Sequence, residues 1–372
     1  MNKVVFYSQI IRPGGGPSGY VYNLMKAAES FGGENVYYFC GHKFDDRSAN
    51  NPNTWPILIK AEVYLTARGI YLPIFPDILD LKRISKNSIV VLHGPAHPRI
   101  SCMLKNRAFR LVFMPHSPSL CCDEYIMSYA SSGRFLSKRR YDYFKWAEHT
   151  SISYADHIIF PSSNAALVYK HAYSDQLNIN KTYYIPSGVI SNIDDYSVNN
   201  SYRKNKKEIV VGFIGRYNYH KGYDLYCGAA EKMSSCTVRF LSFGAGPLKS
   251  SGGFVEDRGW VNDISSAILE CDIIVSPNRV CYYDLLPLEA ASYGRPIVFT
   301  PVGGNIDQSD SLPDSILCKS VGVDDLVSGI EDAVNRKVLD FNWGITNRKK
   351  YLEIFTEKAM LKRWDEFINS IA

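Results

Sequence analysis

The chain has 372 residues, of which 46% are hydrophobic and 21% are charged, and its formal net charge is +5. This length suits about two ordinary domains, and a modest charge spread along the chain gives no indication of nucleic-acid binding. No apolar run reaches the length of about 18 residues that would predict a transmembrane helix, and the N-terminus lacks the long apolar segment of a signal peptide.

Strands alternate with helices along the first half of the chain. Helical spacing of apolar residues covers 20–30 and 139–151. Short apolar, β-branched or aromatic runs predict strands at 4–7, 36–39, 88–92, 110–114 and 157–160. This alternation favours an α/β domain with a parallel sheet.

The alternation restarts after a polar stretch at 191–207. Strands are predicted at 209–214, 237–241, 253–255, 273–275 and 296–300, and helices at 224–233, 264–271 and 288–293. A single long amphipathic helix is predicted at 350–371. We expect a domain at 1–188, a linker at 189–207, a second domain at 208–350, and a C-terminal helix at 351–372 that packs back towards the first domain.

Nine cysteines are scattered along the chain without a C-x-x-C pair. Their odd number and spacing indicate reduced thiols in the cytosol rather than disulfides or a zinc site. The expected location is therefore cytoplasmic.

Two doubly wound sheets that face each other would form a cleft at the carboxyl ends of their strands. A glycine cluster, with Gly15 and Gly16 at its centre, follows the first predicted strand and precedes a helix. Its backbone N–H groups would suit an anionic ligand, although a flexible loop explains the glycines equally well. The spacing fits neither the G-x-G-x-x-G fingerprint nor a P-loop.

A basic loop follows the first strand of the second half. Arg216 and Lys221 would neutralise a diphosphate there, although a solvated basic loop is an equal alternative. Gly244, after the next strand, would let a ligand approach the backbone or would simply form a turn.

The segment 276–296 combines a strand end, a loop and a helix start. Asp284 and the amides of Leu285 and Leu286 lie where a helix N-terminus can receive phosphate oxygens. The carboxylate of Glu289 can accept hydrogen bonds from two ribose hydroxyls, or it can simply balance the helix dipole.

Together these segments resemble the retaining glycosyltransferases of the GT-B fold, family 4. Gly-Arg followed by Lys-Gly matches 215–222, Gly-x-Gly-Pro matches 244–247, and the Pro-Leu-Glu-Ala run matches 287–290. Gly259, Trp260 and Val261 are similar to the family's glycine turn near the nucleotide base. In the first half, His116, 155–159 and 185–189 are also similar to family motifs.

The resemblance implies two Rossmann-like domains, with the acceptor bound by 1–188 and the nucleotide sugar by 208–350. Cys281 stands where the family has its first glutamate, which contacts the donor sugar, so the identity of the donor stays open. The neighbouring aromatic-Asp-Leu run resembles a subgroup that acts in capsule and O-antigen synthesis. The expected donor is a UDP- or GDP-sugar, and the expected acceptor is a saccharide or a polyprenyl-linked sugar.

The resemblance also implies a mechanism. Arg216 and Lys221 would stabilise the leaving diphosphate in place of a metal, since no Asp-x-Asp sequence occurs in the chain. His116 would face the transferred sugar, although lone histidines after strands are more often structural. A catalytically silent GT-B protein and a GT-B nucleotide-sugar epimerase are the alternatives.

Bases and aromatic residues alternate at 137–146, on a predicted helix. This pattern suits peripheral contact with an anionic inner membrane, although most such runs are solvated helix faces.

Overall fold

The computed structural model describes residues 2–372 except 15, 45–54, 73–78, 80, 83, 131–136, 178–180, 192, 194–207, 235–237 and 251. The chain divides into two compact units. The first contains Met1–Gly188 and Glu357–Ala372, and the second contains Val189–Thr356.

The first unit is built on a parallel sheet of six strands with the order β2-β1-β3-β4-β5-β6. All six residues of β3 are buried, as the near-continuous apolar sequence of a central parallel strand requires. The strands are β1 (Lys3–Ile11), β2 (Val36–Lys43), β3 (Ser88–His93), β4 (Arg110–Met114), β5 (His157–Phe160) and β6 (Thr182–Tyr184).

Helices connect these strands, as parallel pairing demands. They are α1 (Gly16–Phe31), α2 (Ile57–Thr66), α3 (Pro98–Lys105), α4 (Cys121–Ala130), α5 (Lys138–Tyr154) and α6 (Leu167–Ala172). The loop before α1 folds back on the helix so tightly that a Cβ on Gly19 would lie 1.5 Å from the carbonyl oxygen of Gly14. Only glycine fits at that position.

The second unit repeats the architecture with the order β12-β11-β10-β7-β8-β9, again with parallel pairs throughout. The chain builds outward from β7 on one side and then crosses to β10 on the other. The carboxyl ends of β7 and β10 therefore flank a topological switch point, where open α/β sheets bind ligands. The strands are β7 (Ile209–Ile214), β8 (Val238–Phe243), β9 (Glu256–Asp257), β10 (Ile273–Ser276), β11 (Ile297–Phe299) and β12 (Ser315–Leu317).

Buried aromatic residues, among them Phe213, Tyr223 and Tyr226, fill the core between this sheet and its helices. The helices are α7 (Tyr223–Lys232), α8 (Ile264–Glu270), α9 (Leu285–Ser292), α10 (Gly304–Ser311), α11 (Val323–Leu339) and α12 (Ile345–Lys350).

The prediction of one helix over 350–371 is wrong. A π-helical turn (Tyr351–Phe355) follows α12, and Thr356 adopts an extended conformation before α13 (Glu357–Ile371) begins. Met360, Trp364 and Ile368 of α13 are buried in the core of the first unit, where the Trp364 indole N–H donates to the Tyr20 hydroxyl at 2.8 Å.

The α/β class with two doubly wound parallel sheets is confirmed. The strand predicted at 253–255 is wrong, since pairing with β8 involves Glu256 and Asp257 instead. The three-residue edge strands β6 and β12 were not predicted, because runs this short carry almost no periodic signal.

Candidate functional site

The loops after β7 and β10, together with α9, contain six of the nine predicted site residues of the second unit. The β7 loop contains Arg216 and Lys221, and the β10 loop leads to Asp284 at the start of α9. The two strands pair directly, so both loops leave the same edge of the sheet at the switch point.

Lys221 and Asp284 join these loops. The Lys221 ammonium group donates to Asp284 Oδ2 at 2.5 Å, and the Asn278 amide donates to the same oxygen at 2.8 Å. Burial acts to raise the pKa of Asp284, but the charge and hydrogen bond of Lys221 and the hydrogen bond of Asn278 hold that pKa below its usual range. Asp284 is therefore a carboxylate at neutral pH, and it partly compensates the charge of Lys221.

Arg216 differs from Lys221 in its surroundings. Its side chain is exposed and forms no hydrogen bond or salt bridge with any residue that the structure describes. Its positive charge still helps to lower the pKa of Asp284, so the guanidinium group lies within electrostatic range of that carboxylate. Arg216 therefore offers an uncompensated, bidentate cation at the switch point.

The N-terminus of α9 opens onto the same region. Asp284 is its N-cap residue, but its side chain makes no capping hydrogen bond because the carboxylate is held by Lys221 and Asn278. The N–H groups of Leu285 and Leu286 donate to no other residue in the described part of the chain. Two amides and the positive end of a helix dipole can thus receive an anion.

Glu289 is the fifth residue of α9 and is half-buried. Cys281, in the loop before the helix, is buried, and burial together with the nearby Asp284 carboxylate raises the pKa of its thiol, which stays neutral. The turn before α10 packs on this loop, because a Cβ on Gly303 would lie 2.0 Å from the carbonyl oxygen of Cys281. A neutral thiol and backbone thus occupy the place where the resemblance expects a carboxylate.

Tyr217 ties three loops of this unit together. Its hydroxyl donates to Asp257 Oδ1 at 2.7 Å and lies 3.0 Å from Ser242 Oγ. Asp257 also accepts the Gly259 N–H at 2.8 Å, and the Gly259 carbonyl accepts the Gly244 N–H at 2.8 Å. These bonds fix the loop of Gly244 next to the loop that carries Trp260.

Trp260 and Val261 lie in the loop that follows β9. Trp260 is 58% exposed, and its indole N–H donates to Asn262 at 3.2 Å. An exposed, tethered indole ring offers an apolar surface on which a base can stack.

Four further residues of this site were not predicted from the sequence. They are Tyr217, Asp257, Asn278 and Gln308, whose amide donates to the Asp284 carbonyl at 2.7 Å. Tyr217 directly follows the Gly-Arg pair, and that position was the available signal. Asp257 bonds Tyr217 at a separation of 40 positions and Gln308 bonds Asp284 at a separation of 24, whereas Asn278 bonds Asp284 only six positions on, through a loop whose course the sequence does not specify.

In the first unit, Gly16 is the exposed first residue of α1 and has a φ of +74°, whereas Gly15 lies outside the described residues. His116 follows β4 with a φ of +60°, the only positive φ of a non-glycine residue in the described ranges. Such backbone strain occurs preferentially at functional sites. His116 Nε2 lies 2.7 Å from Nδ1 of His93, the last residue of β3.

The basic and aromatic run at 137–146 forms the first half of α5. Lys138, Arg139, Lys145 and Trp146 are exposed, whereas the rings of Tyr143 and Phe144 are half-buried and contact each other. The helix therefore turns most of its bases outward and keeps two of its aromatic rings inside. Over the described residues, every helix is too short or too polar to span a bilayer.

Comparison with known proteins bears first on the second unit. Residues 208–336 match the family model of Glycosyl transferases group 1. This group 1 segment contains all six strands of the second sheet, β7 to β12, and every predicted site residue of the second unit.

Two curated relatives match parts of the chain. Starch synthase 1 of Triticum aestivum is 34% identical over 115 residues, which cover 28% of this chain and 18% of the synthase. Poly(ribitol-phosphate) alpha-N-acetylglucosaminyltransferase of Staphylococcus aureus is 24% identical over 186 residues, which cover 46% of this chain and 38% of the transferase. The matched region thus spans well under half of either relative.

Solved structures match nearly the whole chain. Anabaena Alr3699/HepE in complex with UDP and glucose aligns with a TM-score of 0.62 at 14% identity and covers 100% of both chains. WaaG, a glycosyltransferase involved in lipopolysaccharide biosynthesis, aligns with a TM-score of 0.65 at 14% identity and covers 98% of this chain and 99% of its own. At this identity the likeness establishes the fold, and the predicted GT-B class is confirmed.

Proposed function

We propose that the protein is a retaining, metal-independent glycosyltransferase of family 4. It would move a sugar from a nucleotide diphosphate to a saccharide or polyprenyl-linked acceptor in bacterial capsule or O-antigen synthesis. This proposal rests on one observation. Among the described residues, a guanidinium group without an ion-pair partner, a lysine and two backbone N–H groups that donate to no other residue lie together at the switch point of the group 1 segment.

The donor's diphosphate would bind between Arg216, Lys221 and the amides of Leu285 and Leu286. As the glycosidic bond breaks, negative charge grows on the leaving phosphate, and fixed cationic and N–H donors stabilise that charge. Glu289 would accept hydrogen bonds from the ribose, and Trp260 and Val261 would contact the base. That solved structures of HepE and of a TarM mutant contain UDP supports a uridine nucleotide as the first donor to test.

The acceptor proposal draws on two relatives. One is named as an N-acetylglucosaminyltransferase acting on poly(ribitol-phosphate), and WaaG is described as acting in lipopolysaccharide biosynthesis. Both names fit a surface-polysaccharide acceptor. His116 would contact a sugar oxygen, as the resemblance implies.

The decisive experiment measures UDP binding by calorimetry and sugar transfer by product analysis in matched variants. We expect Arg216→Ala to lower turnover by about a hundredfold or more, the typical cost of one oxyanion donor. Arg336→Ala is the control, because this exposed arginine pairs with Asp332 on α11. Equal turnover in the two variants would refute the diphosphate assignment.

Two further measurements test the mechanism. NMR of the fresh product should show the same anomeric configuration as the donor. Turnover should persist in EDTA, since cationic side chains rather than a metal would balance the leaving group. Inversion of the anomeric configuration would contradict the retaining mechanism. Complete loss of turnover in EDTA, with recovery on addition of Mg²⁺, would contradict metal independence.

A catalytically silent protein that binds nucleotide sugars is the second candidate, because the buried neutral Cys281 replaces a carboxylate expected to contact the donor sugar. Saturable nucleotide binding without hydrolysis or transfer, across a panel of UDP- and GDP-sugars and acceptors, would favour it.

We also propose a cytoplasmic location and peripheral contact of α5 with the anionic inner membrane. The exposed Lys138, Arg139, Lys145 and Trp146 support this contact, because bases attract anionic headgroups and an indole ring suits the interface. The fraction of protein that floats with liposomes containing phosphatidylglycerol should fall when the three basic residues are changed to glutamine. Unchanged flotation would remove the membrane contact from the proposal.

A further inference from the structure

Two histidines of the first unit form a direct ring-to-ring hydrogen bond. His93 ends β3 and His116 follows β4, and these strands pair in parallel with His93 opposite Met114. The distance between His93 Nδ1 and His116 Nε2 is 2.7 Å, within the range of a good N–H···N hydrogen bond. One of the two nitrogens must carry the shared proton, since two bare nitrogens would repel each other.

Aromatic residues enclose this pair. The ring of His93 lies 5.5 Å from the rings of Phe6 and Tyr20 and 6.1 Å from Trp364, and the ring of His116 lies 4.9 Å from Tyr20. Burial lowers the pKa of His93 well below its usual value and lowers the pKa of His116 to about 3. Both rings are therefore neutral at physiological pH, and each carries one proton.

The burial of His93 Nε2 selects one of the two possible proton arrangements. This nitrogen is buried and has no hydrogen-bond partner among the described residues. If His116 donated to His93, the proton of His93 would lie on Nε2 as a buried N–H without an acceptor, which is rare and costly in proteins. If His93 donates, its Nε2 carries no proton, and only a lone pair faces the aromatic rings.

We propose that His93 is a positioning residue that donates its Nδ1–H to His116 Nε2 and thereby keeps the proton of His116 on Nδ1. His116 then presents an N–H donor rather than an acceptor to its ligand. The backbone of His116 is left-handed, with a φ of +60°, and the ring makes the bond to His93 from that conformation. The consequence for catalysis rests on the proposed function, in which His116 Nδ1–H would donate to a sugar oxygen.

Two substitutions separate positioning from packing. His93→Phe keeps an aromatic ring in the aromatic pocket but removes the donor, whereas the amide nitrogen of His93→Asn can occupy the place of Nδ1. His171→Phe, on the exposed C-terminal turn of α6, is the control for loss of a histidine.

The primary readout is the ¹⁵N chemical shift of both His116 nitrogens, assigned with His116→Gln, which needs no turnover. We expect wild type and His93→Asn to show the proton on Nδ1, and His93→Phe to show a mixture or the opposite tautomer. A proton on His116 Nε2 in wild type, or an unchanged pattern in His93→Phe, would overturn the inference.

Kinetics then test the consequence. With an active donor and acceptor, His93→Phe should lower kcat by about 10- to 100-fold with little change in KM, and His93→Asn should recover most of it. Equal kcat in His93→Phe and wild type would overturn the positioning role. If no sugar is transferred by any variant, the proposed function fails, while the tautomer measurement still decides whether His93 sets the proton on His116.

Discussion

Substitutions of Lys221 and Asp284 should change the affinity for UDP in opposite directions. Lys221 would attract the diphosphate, whereas the adjacent carboxylate of Asp284 would repel it. Since the pKa of Asp284 is held below its usual range, Asp284→Asn removes a full negative charge at pH 7 while keeping an oxygen that Lys221 and Asn278 can bond.

The magnitude follows from the geometry. Two unit charges about 4 Å apart interact by about 1 kcal/mol in water and about 4 kcal/mol at an effective dielectric constant near 20. The side chains of Lys221 and Asp284 are 28% and 26% exposed, so screening is substantial. We expect a change of about 1 to 2 kcal/mol, which is about 5- to 30-fold in Kd. Asp284→Asn should tighten UDP binding, and Lys221→Met should weaken it.

Calorimetry with UDP measures both effects. The exposed pair of Lys232 and Asp324 supplies matched controls, and Lys232→Met and Asp324→Asn should leave the Kd of UDP within about twofold of wild type because exposed charges at a distance are screened. If Asp284→Asn weakens UDP binding as much as Lys221→Met does, the carboxylate organises the site rather than opposing the anion, and the electrostatic reasoning is wrong.

Three further predictions concern stability. His116 has a pKa of about 3 in the folded protein and 6.5 in the unfolded chain, so the unfolded chain binds more protons as the pH falls. The free energy of unfolding should therefore fall by about 2 kcal/mol between pH 8 and pH 5. Urea denaturation should show a smaller fall for His116→Gln. Tyr217→Phe should cost about 1 to 3 kcal/mol by leaving Asp257 and Ser242 without the hydroxyl, and a wild-type urea midpoint would contradict this. Gly303→Ala should lower the thermal midpoint, since its φ is +45° and the new Cβ would collide with the carbonyl of Cys281, whereas Gly322→Ala has room and should not.

The alternation of strands and helices was readable from the sequence because central parallel strands are buried on both faces and their apolar runs are continuous. The break before α13 was not readable. Residues 350–371 keep a helical apolar pattern and contain no proline or glycine, so nothing local marks the extended Thr356. The partner of Trp364 in the first unit, Tyr20, is 344 positions away, and tertiary packing of this kind can override local propensity.

The site was predictable where its chemistry lies close in sequence. Arg216 follows β7 directly, and Leu285 and Leu286 begin the helix after β10. The carboxyl ends of neighbouring parallel strands share an edge of the sheet. The compensation of Lys221 by Asp284 joins residues 63 positions apart, and the bond between His93 and His116 joins residues 23 positions apart. Such pairings depend on sheet order, which a single sequence does not specify.

The passage of the chain out of the first unit at Gly188 and back into it at Glu357 has a consequence for biosynthesis. Met360, Trp364 and Ile368 complete a core whose other members, apart from Leu361, Phe367 and Ile371 of α13, lie between Val4 and Ile185. All of 189–356 is synthesised before α13, so the first unit cannot complete its core until the sequence of the second unit has been made. A truncation that removes α13 should therefore leave the group 1 segment folded and make the first unit sensitive to proteases.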